Sequence, residues 1–256
     1  MAAYFLSLLW SAAGYSIIGV AIFVLLDLRL AKSEAPFRDL IRGLKFLLVG
    51  AVAIAGVGTA LEGLKQALGI KPMMSFHFGF WSPFLASIAL AMWLDLQFYT
   101  IHRLQHRFFW RFHAVHHSIR NLSAANSYHH WTEPLMGLTV VIPLLFVDVD
   151  IAPTLVLLTF FFKVWHFYLH TASEPNLGPF RSLLIDNRYH RIHHSLDREH
   201  HDKNFGAMTP LWDWLFGTVY MPKSDEWPDV GLHDRQEPKT LAEWSAMPFE
   251  RSKEPY

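Results

Sequence analysis

The chain has no cysteine among its 256 residues. That absence removes disulfides, thiolate zinc sites, iron–sulfur ligation and a cysteine nucleophile. It also has no excess of either charge: 22 basic side chains balance 22 acidic ones. Nothing therefore draws it to a polyphosphate, and no nucleic-acid partner is expected. Repeats, low-complexity tracts and flexible linkers are missing too. The sequence is instead rich in apolar residues, 52% against 17% charged, and in histidine, with 16 residues. Ten tryptophans suit a protein with membrane–water interfaces.

Long apolar runs set the class, because a helix needs about 20 mostly apolar residues to cross the hydrocarbon core. Residues 4–28, "YFLSLLWSAAGYSIIGVAIFVLLDL", lack the basic start and small-residue cleavage site of a secretory signal and read as a retained transmembrane helix. A second run, 46–61, follows the amphipathic "FRDLIRGLK", which can lie in the interface. The third, 80–101, leads directly into "HRLQH"; the fourth, 135–169, is broken by "DVDIAP" and reads as a tight helical hairpin. Arg29, Lys32, Arg38, Arg42 and Lys45 follow the first helix, whereas only Lys65 and Lys71 precede the third. By the positive-inside rule the first connection is cytoplasmic, and the histidine-rich ends of the third run and the hairpin emerge on that same side.

Ten histidines fall into four short groups: His102 and His106; His113, His116 and His117; His166 and His170; His190, His193 and His194. Helix positions three and four apart share a face, so each group can aim its rings at a common point. Neutral imidazole binds zinc, copper, iron and nickel. Ten ligands exceed what one ion accepts, and two ions are the natural count. Metal-bound imidazoles need acceptors for their second N–H. Asp95, seven residues before His102 in an apolar run, is the leading candidate, with Asp186, Glu133 and Asp202 behind it. His129 and His130 in "SYHHWTE" are further site candidates, with His130 as a catalytic residue; His77, His200, His201 and His233 read as surface or interface residues.

These residues resemble the fatty acid hydroxylase/sterol desaturase superfamily of integral-membrane di-iron enzymes over residues 95–218. "DLQFYTIHRLQH" resembles the segment from the family's aspartate to its first histidines, and "FWRFHAVHHS" its second box. "HFYLH" resembles an additional pair, and "NRYHRIHHS" with "DKNFGAMTPLWDWLFGT" the last box and its tail. The resemblance carries the metal-ligand role onto all ten histidines above and the buried aspartate onto Asp95. It implies a four-helix membrane core capped by a cytoplasmic domain that holds two irons, for which zinc can substitute in a purified sample. Two departures stand out. Many members have an arginine before the histidine that follows the second box, where this chain reads "SAANSYHHWTE", and the part through Met74 matches nothing specific.

The expected architecture is all-α: an integral membrane bundle of four to five helices with a cytoplasmic helical cap around a histidine-rich dimetal site. Residues 1–75 would form N-terminal transmembrane helices, 76–221 the catalytic domain and 222–256 a polar C-terminal tail. The resemblance implies O2 as co-substrate and a lipid C–H bond, in a fatty acyl chain, sterol or ether lipid, that is hydroxylated or desaturated. With no flavin fingerprint and no cysteine, electrons must come from an external cytochrome or ferredoxin with its reductase. A bacterial inner membrane is the expected location. Two other classes use similar ligands. A zinc-dependent membrane hydrolase would want a glutamate beside a histidine pair, as in HExxH, which is missing. A metal transporter would place its ligands near the bilayer midplane, whereas these gather at one face.

Overall fold

The computed structural model describes residues 1–30, 36–76, 82–139, 142, 145–149, 152–172 and 177–250. Four long helices carry the fold: α1 (Ala2–Leu30), α2 (Pro36–Leu68), α3 (Ser82–Phe108) and, further on, α5 (Ala152–Leu169). Between them lies the short α4 (Trp110–His117); after them come α6 (Asn187–His193), α7 (Leu211–Leu215) and α8 (Leu241–Ala246). Pro36 opens α2, where its missing N–H costs nothing. Gly69, at φ +62°, closes it by letting Ile70 N–H reach back to the Lys65 carbonyl at 3.0 Å.

α1 and α2 contain apolar windows, Ala2–Leu25 and Phe37–Leu68, long enough to cross a membrane, yet only 17% of each window is buried inside the chain. Trp10 and Leu25 point outward, 82% and 73% exposed. Apolar surface on that scale needs lipid or a partner to cover it. Among the described residues α3 and α5 do not reach the same apolar length. Of the expected hairpin over 135–169, α5 forms the returning arm; residues 138, 139 and 142 of the first arm are helical, and 140, 141, 143 and 144 lie outside the described residues. One feature departs from the all-α expectation. Met74–Phe76 (β1) pairs in parallel with Val147–Val149 (β2), Met74 opposite Val147 and Phe76 opposite Val149, tying the α2–α3 connection to the approach to α5.

α1 packs on α2 and α5, and α3 on α5. Close approach relies on two glycines: a Cβ at Gly19 would overlap the Phe167 ring, and one at Gly43 would overlap the Ala125 carbonyl. At its C-terminal end α1 places the buried Asp27, which accepts the backbone N–H groups of Ala124 at 2.6 Å and Ala172 at 2.9 Å. One carboxylate thus holds the loop after α4 to the loop after α5.

The stretch expected to be a polar tail is partly core. Trp244 of α8 is buried and stacks on Phe46 of α2, centroids 4.8 Å apart at 7°; Tyr128 meets Phe46 edge-on at 4.6 Å. Glu237 accepts from Arg42 at 2.7 Å, and Arg42 also pairs with Asp39 at 2.9 Å. Thr240 caps α8 by accepting Glu243 N–H at 3.2 Å. Residues 222–250 therefore pack back against α2 and α4, because a tryptophan and a methionine (Met247) hidden in a charged stretch complete the cluster of Phe46, Val115, Ile119 and Tyr128.

Candidate metal centre

Four elements, α3, α4, α5 and α6 with their C-terminal ends, bring nine of the ten expected ligands into two groups. His102, His106, His113, His117 and His193 form the first; His116, His170, His190 and His194 form the second. Within each group the ligand nitrogens all lie within 4.8 Å of one another. The HxxHH spacing explains how one helix serves both. Successive helical residues turn by about 100°, so i and i+4 fall about 40° apart while i+3 falls on the other side of i. Accordingly His113 and His117 face the first group and His116 the second, while His190 and His194 face the second and His193 the first. α4 and α6 lie between the groups with opposite sense. The groups adjoin, since the rings of His117 and His194 stack with centroids 4.4 Å apart.

Facing nitrogens are close throughout. Nε2–Nε2 distances are 3.1 Å for His102–His113, His116–His170 and His170–His190, and 3.2 Å for His106–His117 and His190–His194. Metal–imidazole bonds of about 2.1 Å put adjacent ligand nitrogens about 3.0–3.4 Å apart. The tautomers sharpen this. His116 Nδ1–H donates to the Tyr128 carbonyl at 3.0 Å and His170 Nδ1–H to the His166 carbonyl at 2.6 Å. Both Nε2 atoms then carry lone pairs, and only a cation between them makes a separation of 3.1 Å favourable. His102 donates likewise to Phe205 O at 3.0 Å and His193 to Lys203 O at 2.7 Å. His193 Nε2 is left buried without a hydrogen-bond partner among the described residues. Nitrogen-only cages with oriented tautomers fit transition-metal ions of the zinc and iron kind.

The surroundings keep the rings neutral and dry. Burial, reinforced by neighbouring imidazoles, holds His116, His117, His190 and His194 well below the ordinary imidazole range and His193 down to about 3. The Phe205 ring packs edge-on against His102 at 5.4 Å and His106 at 4.9 Å. Its backbone is pinned by Asp213, a fully buried carboxylate that sequence reasoning missed. Asp213 accepts Phe205 N–H and Gly206 N–H at 2.8 Å, Thr218 Oγ1–H at 2.7 Å and Tyr189 O–H at 3.0 Å. Its one sequence signal is an acid inside the apolar "LWDWLF". Two left-handed residues, Asp202 (φ 56°) and Asn204 (φ 59°), turn the chain so that the carbonyl of Lys203 between them meets His193.

Other expected residues land elsewhere. His166 belongs to neither group; its ring lies beside those of His170, at 4.4 Å, and His129, at 5.5 Å. Asp95, expected to hold an imidazole, instead accepts Met208 N–H at 2.7 Å and Thr209 Oγ1–H at 2.8 Å. It therefore anchors the loop beyond Phe205 rather than a ligand. His130, expected as catalytic, hydrogen-bonds Thr132 Oγ1 at 2.7 Å, with Phe112, Trp131 and Trp244 as its ring neighbours. Asp186 caps α6 by accepting Tyr189 N–H at 2.9 Å and pairs with Arg181. Of the weaker acceptor candidates, Asp202 faces His106 Nδ1 and Glu133 faces His113 Nδ1, each at 3.5 Å. His200, expected at the surface, is buried between Ser195 Oγ at 2.9 Å and the Tyr220 ring. His233 is exposed as expected, and His77 lies outside the described residues.

Fold and site together define a helical protein with apolar, outward-facing helices and two adjoining imidazole cages that could hold metal ions. The sequence profile of the fatty acid hydroxylase family matches residues 87–218, more than half of the chain, and the chain belongs to that family. It is 29% identical over 210 residues to the ornithine lipid hydroxylase OlsE of Rhizobium tropici, covering 79% of this chain and 62% of that protein. It is 31% identical over 135 residues to alkylglycerol monooxygenase of Homo sapiens, covering 49% and 28% respectively. Over 158 residues it is 25% identical to the putative Delta(7)-sterol-C5(6)-desaturase 2 of Arabidopsis thaliana, covering 59% and 53%. The chain thus spans less than two thirds of the length of each. No solved structure matches it.

Proposed function

We propose that the protein is an O2-dependent, non-haem di-iron oxidoreductase that hydroxylates or desaturates a C–H bond of a membrane lipid. The observation that carries this reading is the pair of adjoining cages whose Nε2 atoms face one another at 3.1–3.2 Å, with the Nδ1 protons of His102, His116 and His170 engaged outward by backbone carbonyls. The first iron would be held by His102, His106, His113, His117 and His193, the second by His116, His170, His190 and His194, with His166 as a further candidate at the second. Bound iron supplies the activation of O2 and the oxidising power needed for an unactivated C–H bond. The chain's own part is to hold the imidazoles neutral, fix their tautomers through the carbonyls of Tyr128, His166, Lys203 and Phe205, and keep water from the first group with the Phe205 ring. Five imidazoles come close to filling one coordination sphere, whereas four leave room at the other.

The relatives support the substrate class. By their names they act on ornithine lipids, alkylglycerols and sterols, which share aliphatic C–H bonds and a membrane setting. We read the chain as multi-pass, with 1–75 as membrane helices, 76–221 as the catalytic unit against which 222–250 packs, and the centre at the cytoplasmic face of a bacterial inner membrane. An external cytochrome or ferredoxin, with its reductase, supplies the electrons. The test is lipid mass spectrometry of aerobic cells with and without the gene, beside metal analysis of protein purified from iron-supplemented cells. A lipid gaining one oxygen or losing two hydrogens, and about two metals per chain, are expected. An unchanged lipid profile together with metal-free protein would refute the proposal.

A further inference from the structure

A third cluster lies outside the two cages, where His113, His129 and Glu133 converge. Glu133 opens a single 3-10 turn, Glu133–Leu135, in the irregular stretch after α4, and its carboxylate is buried. Its two oxygens go to different places. Oε2 accepts the Gln105 side-chain N–H at 2.7 Å and faces His129 Nδ1 at 3.1 Å. Oε1 lies 3.5 Å from His113 Nδ1, and neither of those two atoms has another hydrogen-bond partner among the described residues. His113 belongs to the first cage. The His129 ring lies flat on that of His116, a member of the second, with centroids 3.9 Å apart at 19°. One carboxylate thus touches both cages through two imidazoles.

We propose that Glu133 is the positioning residue of the centre, orienting His113 directly and His116 through the stacked ring of His129, so that both cages keep their spacing. The inference rests on the two-metal reading above. A carboxylate acceptor at Nδ1 fixes which imidazole nitrogen keeps its lone pair, and it makes the ligand more basic. Among the described residues no carbonyl does this for His113, unlike His102, His116, His170 and His193, so Glu133 takes that part. The negative charge also offsets part of the charge that two divalent ions bring into a site ringed by neutral groups. Gln105, one turn of α3 from His102, holds the free side of the carboxylate and keeps it from rotating away.

The measurement uses full-length protein in lipid nanodiscs, loaded with zinc, so that it needs neither turnover nor an electron donor. Wild type is expected to retain two zinc ions per chain. Glu133→Gln keeps the volume but puts an N–H where an acceptor stood, and it is expected to release zinc to a chelator about 10–100-fold faster. Glu133→Asp, which keeps the charge, is expected to recover part of the difference. Release from Glu133→Gln at the wild-type rate would overturn the inference while leaving the two-metal centre intact. Failure of wild type to hold two ions would instead remove the centre itself. Should Glu133→Gln not fold, nitrogen-15 NMR of histidine-labelled, zinc-loaded wild type decides: His113 and His129 are both expected to be protonated at Nδ1. A His129 protonated at Nε2 alone would sink the proposal.

Discussion

Trp244→Ala tests whether the charged C-terminal stretch is part of the catalytic unit. Trp244 is 1% exposed and stacked flat on Phe46 at 4.8 Å. Truncating a buried aromatic to alanine costs about 3–5 kcal/mol in lost transfer energy and residual cavity. The indole Nε1 is buried with no hydrogen-bond partner among the described residues, so its removal returns about 1–3 kcal/mol of unmet desolvation. The two effects leave a net loss of about 2 kcal/mol. At about 2–4 °C per kcal/mol for a domain of this size, the thermal midpoint should fall by about 4–8 °C. Trp244→Phe keeps the ring stack and lacks the orphaned N–H, so it should stay close to wild type. The effect should also reach the metal. Tyr128 packs on Phe46 at 4.6 Å, and its carbonyl orients His116 at 3.0 Å. Trp244→Ala should therefore release the ion of the second cage faster than wild type. The assay is thermal denaturation of detergent-purified, zinc-loaded protein followed by circular dichroism, with released zinc read by a chromogenic chelator. An unchanged midpoint, in this variant or in a chain cut after residue 221, would refute the reasoning and restore the stretch to a dispensable tail.

Other substitutions separate the cages. His193→Ala should remove a ligand of the first ion, and His116→Ala one of the second. Each should lower zinc content from about two toward one per chain and abolish lipid oxidation without preventing membrane insertion, as metal analysis and membrane fractionation would show; full activity in either would contradict the ligand assignment. Gly43→Ala would set a methyl group against the Ala125 carbonyl, so that α2 must shift from the loop after α4, and a lower thermal midpoint is expected. Acid should act through the imidazoles. Burial holds His193 at about 3, below the unfolded value near 6.5, so the unfolded chain binds more protons between those values. The stability contributed by the neutral ring is whole above about pH 6.5 and is lost as pH falls toward about 3. Zinc retention titrated from neutral pH downward should decline in that window, and retention that instead fell on raising the pH would show the sign to be wrong.

Much of the centre was legible because helix geometry turns sequence spacing into direction. HxxHH and HxxxH require that several imidazoles leave one helix on defined faces, and the absence of cysteine leaves nitrogen as the donor. The apolar runs likewise announce α1 and α2, whose exposed faces none of the described residues covers. What stayed hidden depends on contacts distant in the sequence. Asp95 looked like a histidine partner because His102 is seven residues away, yet its acceptor sites are filled by Met208 and Thr209, more than a hundred positions on. Trp244 looked like surface because Phe46 lies almost two hundred residues earlier.

Irregular backbone hides its side-chain directions as well, since no period relates position to face. That is why His129 and His130 of "SYHHWTE" could be named only as site candidates, and Glu133 only as a weaker acceptor candidate. Only the turn after α4, drawn in by Asp27 and by the Tyr128 carbonyl, sends Glu133 toward His113 and His130 toward Trp244. Sequence alone pointed to imidazole nitrogens as the candidate ligands and to their leaving the helices in sets. Tertiary structure decided how nine of them divide into five and four and which buried acid lies beside His113, because that division is made by chain closure, with each helix free to rotate about its axis until its neighbours lock it.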